Sequence, residues 1–218
     1  MTGPLVAVLD YGIGNLSSAQ KALVRTGADA RLTRDPGLVA DADGVVLPGV
    51  GAFGACMDAL RGAGLEDVVR TAVDSGRPFL GICVGMQMLF DSSAEDPTHT
   101  GLGIISGTVE PIPATVRRPQ MQWNELVVRR TDALFAGLPA SPWVYFVHSY
   151  AARPDDDSVV VATCDYGAQL TAVVRQGNLV ATQFHPEKSA GDGLRLLDRK
   201  STRLNSSHVS ESRMPSSA

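Results

Sequence analysis

Three observations predict an α/β protein built on a doubly wound, mostly parallel sheet. Apolar runs of strand length alternate with helical spacing three or four times in the first 92 residues. The runs are continuous rather than alternating, as expected of strands covered by helices on both faces. The second half instead carries short strands broken by turns, which predicts antiparallel additions beside that sheet.

Each element follows from its own stretch. LVAVLD, residues 5–10, is the first strand, and YGIGN is the turn after it. Residues 15–26 have helical spacing, with Leu16, Ala19, Leu23 and Val24 on one side. ARLT is a short second strand, and GVVLPGVGAFG reads as strand, Pro-Gly loop and helix entry. Residues 55–75 form one broken or two short helices, interrupted at GAG. PFLGI is a further apolar strand running into a helix over 84–91. Beyond it GIISGTVEPI, QWNELVV, VYFVHSY, SVVVATCDY, LTAVVRQ and NLVATQF are short strands, with RQGNL as a hairpin signal. There is no internal repeat and no linker, so residues 1–198 are expected to form one domain. GDGLRLLDR starts a helix on Leu194, Leu196 and Leu197 that is expected to stop within about two turns. Seven of the last 19 residues are serine, without apolar periodicity, so residues 199–218 are expected to be a non-native or disordered tail.

Composition removes several function classes. A chain that is 44% hydrophobic and 19% charged is globular, and a net charge of −4 gives no reason to expect nucleic-acid binding. No apolar run approaches the ~20 residues needed to cross a bilayer. The N-terminus has no basic region before its apolar segment, so a cytoplasmic location is expected. Cys56, Cys83 and Cys164 are odd in number and form no CxxC pair, and the four histidines lack metal-ligand spacing. Neither a disulfide framework nor a metal site is expected.

The chemistry concentrates in three segments. GICVGM is G-x-C-x-G at the end of an apolar strand and the start of a helix, the context of a nucleophile elbow with cysteine for serine. Side chains at 81 and 85 would collide with the neighbouring strand and helix, and a helix N-terminus favours a thiolate. The elbow alone leaves two readings open for Cys83, a buried core thiol or a nucleophile. QFHPEKS adds a candidate base, His185, with Glu187 placed to orient it. The loop LPGVGAFG could aim amide N–H groups near Val50 and Gly51 at an oxyanion, together with the Val84 N–H. A phosphate cradle would need G-x-x-x-x-G-K-[ST] or G-x-G-x-x-G, and neither is present.

Taken together, PGVGAFG, GICVGMQMLF, YFVHSY and QFHPEKS resemble the triad glutamine amidotransferases. With DYGIGNL and PQMQWNEL added, the chain is similar to the glutaminase subunits of imidazole glycerol phosphate synthase, from residue 5 to about 198. The resemblance implies glutamine hydrolysis with Cys83 as nucleophile, His185 as base and acid, and Glu187 as its orienter. It implies substrate contacts from Gln87, Gly51 and the segment His148, Ser149 and Tyr150, the last three largely through backbone. No metal or organic cofactor is implied. Ammonia would pass to a (βα)₈ cyclase partner, with Asn15, Trp123, Tyr145 and Lys188 at or near the partner face. Two departures stand out. Gln120 and Gln122 occupy positions where many members have His and Gly, and the family continues a terminal helix that is here expected to be replaced from about Lys200. Another triad amidotransferase, a non-catalytic partner-binding subunit of the same fold, and a cysteine peptidase on a related fold are the alternatives.

Overall fold

The computed structural model describes residues 3–203. The first part of the chain forms β1 (Leu5–Leu9), α1 (Leu16–Arg25), β2 (Asp29–Thr33), α2 (Pro36–Asp41), β3 (Gly44–Gly49), α3 (Phe53–Gly62), α4 (Glu66–Asp74) and β4 (Phe79–Cys83). Then come α5 (Val84–Gln87), β5 (Ser92–Ser93), β6 (Gly107–Pro111), β7 (Gln120–Glu125) and β8 (Val127–Val128). The last part forms β9 (Trp143–His148), β10 (Tyr150–Pro154), β11 (Val160–Asp165), β12 (Gln169–Gln176), β13 (Leu179–Thr182) and α6 (Ala190–Arg203).

The main sheet has eight strands in the order β2-β1-β3-β4-β13-β12-β11-β8. Neighbouring strands from β2 to β13 pair in parallel, and those from β13 to β8 pair antiparallel. This is the doubly wound, mostly parallel α/β architecture with antiparallel additions. β3 and β4 are buried along their whole length, which is why their sequences are continuous apolar runs. The path moves outward from β1 to β2 and then back across β1 to β3. Because parallel crossovers are right-handed, that reversal puts α1 on one face of the sheet and the helices after β2 on the other. α1 packs with α6, and α2 with α4. Asp35 caps α2 by accepting from the Gly37 N–H at 2.9 Å, with Pro36 in the first turn. β12 and β13 form the hairpin expected at RQGNL, with Gly177 at φ +57 in a two-residue loop. Two smaller units sit beside the main sheet: a three-stranded sheet of β10, β6 and β5, and a ribbon of β7 with β9.

The structure departs from the sequence expectation at three helices. In α1 the buried positions are Ala19, Ala22 and Leu23, while Val24 is 53% exposed, because it lies about 100° round the helix from Leu23. α5 stops at Gln87 rather than 91. The carbonyls of Met88, Leu89 and Phe90 accept bonds from residues 102–105 instead of continuing a helix. α6 does not stop after two turns but continues through Arg203, with Leu196 and Leu197 buried. Residues 204–218, most of the expected tail, lie outside the described residues.

Candidate active site

β3, β4 and β13 are adjacent and parallel, so their C-terminal ends open onto one crevice. Cys83 stands at the end of β4 with φ +55 and ψ −112. A non-glycine residue in this left-handed region costs on the order of 1–3 kcal/mol and persists only where its surroundings demand it. The demand comes from close packing. A Cβ at Gly81 would lie 3.0 Å from the Gly85 carbonyl oxygen and 3.1 Å from the Ala181 and Leu89 side chains. A Cβ at Gly85 would run into the Leu47 carbonyl, and one at Gly49 would lie 2.5 Å from the Gly85 nitrogen. β3 and the elbow therefore touch backbone to backbone.

His185 follows β13 and precedes the short turn Pro186–Lys188 that carries Glu187. Its Nδ1 lies 2.7 Å from Glu187 Oε1, and the two side chains are 2% and 3% exposed. Burial opposes the charged imidazole most strongly. Hydrogen bonds to Cys83 and Glu187 outweigh it, and His185 is pushed up to about 9. A cation thus sits beside the sulfur at neutral pH. The four-residue α5 is a weaker source of positive field than the helix expected over 84–91. α6 backs this corner: a Cβ at Gly193 would meet the Pro186 carbonyl.

A cavity of about 380 Å³ lies over Cys83. Its lining brings together Val50, Gly51, Val84, Gln87, His148, Ser149, Tyr150 and His185, with Asn15 and Lys188 from the expected partner face. Glu187 is not in the lining and stands behind His185. Trp123 and Tyr145 lie outside it, on the β7–β9 ribbon, in edge-to-face contact at 6.1 Å. Val84 begins α5, so its N–H has no partner within the helix. Gly51 has φ +97, which only glycine adopts without strain.

Several residues that sequence reasoning passed over complete the site. Glu95 supplies the carboxylate of the lining and accepts from the Phe53 N–H at 2.8 Å. Two side chains pin the loop 48–51 from beneath: Tyr11 donates to the Pro48 carbonyl at 2.6 Å, and Cys56 to the Val50 carbonyl at 3.3 Å. Burial pushes the Cys56 thiol up to about 11, so it stays a neutral donor. Gln183 is fully buried and donates to Cys83 Sγ at 3.7 Å. The signal for it was its place at the head of QFHPEKS, two residues before His185. Gln120 is also buried and bonds His148 Nε2 at 2.9 Å, while His148 Nδ1 lies 2.7 Å from the Tyr150 carbonyl. Burial pushes His148 down to about 4, so it is neutral; its one proton is on Nδ1, facing the Tyr150 carbonyl, and Nε2 accepts from the NH₂ end of the Gln120 amide, turned to face it.

A doubly wound sheet, a strained cysteine elbow, a buried His–Glu pair and a polar cavity meet at one crevice. The family model for glutamine amidotransferase class-I matches residues 7–202, and the chain belongs to that family. Within it, an "Imidazole glycerol phosphate synthase subunit HisH" of Rhodopirellula baltica is 48% identical over 200 residues, covering 91% of this chain and 97% of that protein. The subunit of the same name from Halobacterium salinarum is 48% identical over 204 residues, covering 89% and 91%. Among solved structures, a crystal structure of a glutamine amidotransferase superposes with TM-score 0.71 at 28% identity, covering 91% of this chain and 97% of that one. PurLQS from Thermotoga maritima, at TM-score 0.73 and 20% identity, shares the fold over 93% and 99%.

Proposed function

We propose that this chain is the glutaminase subunit of an imidazole glycerol phosphate synthase, working through Cys83, His185 and Glu187. The observation that carries the reading is Cys83, held at positive φ on the floor of a cavity, beside an imidazole that a buried carboxylate orients. The 48% identical HisH relatives support the particular assignment.

The chemistry follows from the placement. Cys83 Sγ bonds to the side-chain amide carbon of glutamine, and the carbonyl electron pair moves to oxygen. The Val84 N–H and the amides at Val50 and Gly51 receive that oxyanion. Protonated His185 gives its proton to the amide nitrogen as the C–N bond breaks, and ammonia leaves. His185 then takes a proton from water, which attacks the γ-glutamyl thioester. The C–S bond breaks, and glutamate leaves. Glu187 keeps the imidazole aligned through both proton transfers. Glu95 offers a carboxylate to the substrate ammonium. Gln87 spends both amide hydrogens on the Tyr150 carbonyl and Gln183 Oε1, so it presents Oε1 as an acceptor. His148, with both nitrogens engaged, contributes through its backbone.

The ammonia passes to a cyclase subunit with a (βα)₈ barrel. There it converts a phosphoribulosyl-formimino aminoimidazole carboxamide ribotide to imidazole glycerol phosphate and aminoimidazole carboxamide ribotide. The ribbon face carrying Met121, Trp123, Trp143 and Tyr145 is the docking surface, since three of these large apolar side chains are exposed. Asn15 and Lys188, which line the cavity, complete the partner face on this reading. The test is glutamine hydrolysis with and without a histidine-pathway cyclase and its ribotide. Strong stimulation by both, absent in Cys83→Ala, is expected. A free chain that hydrolyses glutamine as fast as the complex would contradict coupling.

A further inference from the structure

The sulfur of Cys83 meets a second side chain besides His185. Gln183 Nε2 donates to it at 3.7 Å from a fully buried position. The direction of that amide is not free. The Tyr150 carbonyl only accepts, so the Gln87 atom 3.1 Å from it is the amide nitrogen. That nitrogen points its other hydrogen at Gln183, 3.1 Å away, so the Gln183 atom there is the oxygen. The end of the Gln183 amide facing sulfur is therefore the NH₂ group. The backbone is fixed too, since the Gln183 N–H donates to the Ala172 carbonyl at 2.9 Å. A backbone carbonyl thus sets, through two amides in series, a donor aimed at the reacting atom. Such a donor binds a thiolate more strongly than a thiol, because hydrogen bonds to a charged acceptor are the stronger kind.

We propose that Gln183 is a catalytic residue of this site. Its amide N–H holds the Cys83 sulfur in its attacking orientation and stabilises it as the anion, and Gln87 is the positioning residue that keeps the donor end toward sulfur. The proposal rests on Cys83 being the nucleophile. Once Sγ bonds to the substrate carbon, its charge has moved to oxygen and the Gln183 bond weakens. Gln183 therefore acts on the free thiolate, before attack and again after glutamate leaves.

The experiment is the rate of alkylation of Cys83 by iodoacetamide against pH, in the full chain, read by the mass of the Cys83 peptide. It needs no glutamine, so it is independent of substrate binding. Gln183→Met, similar in length but without the donor, is expected to react roughly tenfold more slowly at pH 7, with its inflection moved to higher pH. In the cyclase complex, kcat is expected to fall by a similar factor with KM little changed. Gln183→Glu, which puts a negative charge beside the sulfur, moves the inflection further the same way. If Gln183→Met does not fold, Gln87→Met reads the same effect. Gln183 then remains, but its amide can turn, and the inflection again moves upward. A folded Gln183→Met, or failing that a folded Gln87→Met, with the wild-type pH profile overturns the proposal. Loss of hydrolysis in Cys83→Ala tests the nucleophile separately, so the two failures are distinguishable.

Discussion

Gly85→Ala is the most direct test of how the elbow is built. The new Cβ would overlap the Leu47 carbonyl oxygen and lie 2.9 Å from its carbon and 3.2 Å from the Pro48 carbonyl carbon. All three are backbone atoms of β3, so no side chain can move aside. Restoring ordinary contact needs β3 and the elbow to separate by on the order of 1 Å. Overpacking of this kind costs about 1–3 kcal/mol, which in a chain of this size lowers Tm by roughly 3–10 °C. The displaced strand runs directly into the loop 48–51. A 1 Å error in that loop, or the loss of one oxyanion donor, costs roughly a hundredfold in rate. The assay pairs thermal melting by circular dichroism with glutamate release in the cyclase complex. Both Tm and kcat should fall. Gly62→Ala is the control: nothing lies within 4 Å of its Cβ in α3, so Tm should hold or rise slightly. A Gly85→Ala variant with wild-type Tm and kcat would refute the close-packing account.

Other expectations follow from the same geometry. Glu187→Gln removes the carboxylate 2.7 Å from His185 Nδ1, and kcat in the complex should fall on the order of 10³-fold with the chain still folded. His148 is depressed from 6.5 to about 4, so between those pH values the unfolded chain binds a proton that the folded chain does not. Stability should therefore drop as pH falls through that window, by up to about 3 kcal/mol. Urea midpoints at pH 7 and pH 4.5 should show a smaller drop in His148→Gln than in wild type. His185 works the other way. Its contribution is complete below pH 6.5 and is lost as pH rises through about 9, so melting in alkali should be less pH-dependent in His185→Asn. Trp123→Ala should weaken cyclase binding about 30-fold, read by titration calorimetry, since buried aromatic anchors contribute about 2 kcal/mol. Unchanged affinity would place the docking surface elsewhere.

Most of the parallel half was legible because its strands are buried on both faces and read as unbroken apolar runs, as in β3 and β4. The elbow was legible because three glycines at fixed positions have a steric cause. What escaped was decided by distant partners. Met88, Leu89 and Phe90 continue the apolar pattern of a helix, yet residues 102–105 claim their carbonyls and end α5 early. Val24 was misplaced because an apolar residue beside a buried one looks the same in sequence as one on the buried stripe. Glu95 and Cys56 belong to no motif, and Gln183 opens QFHPEKS without the segment showing what its amide does. Each matters through where one polar atom ends up, at the Cys83 sulfur, the Phe53 N–H or the Val50 carbonyl, and residue type alone does not encode that placement.

The adjacency of β4 and β13 has a consequence in time as well as in space. Cys83 and Gln183 are 100 residues apart in the chain, and His185 lies two residues further on. At synthesis rates of 5–20 residues per second, roughly 5–20 s separate the emergence of the sulfur from that of its imidazole. Through that interval β4 is the open edge of a growing sheet, and Cys83 has neither proton acceptor nor amide clamp. The insertion of β13 closes that edge and brings the imidazole and the amide to the sulfur in one event. On the proposed reading, a nascent chain carries an unarmed cysteine until β13 has emerged, and reactivity arrives only with that strand.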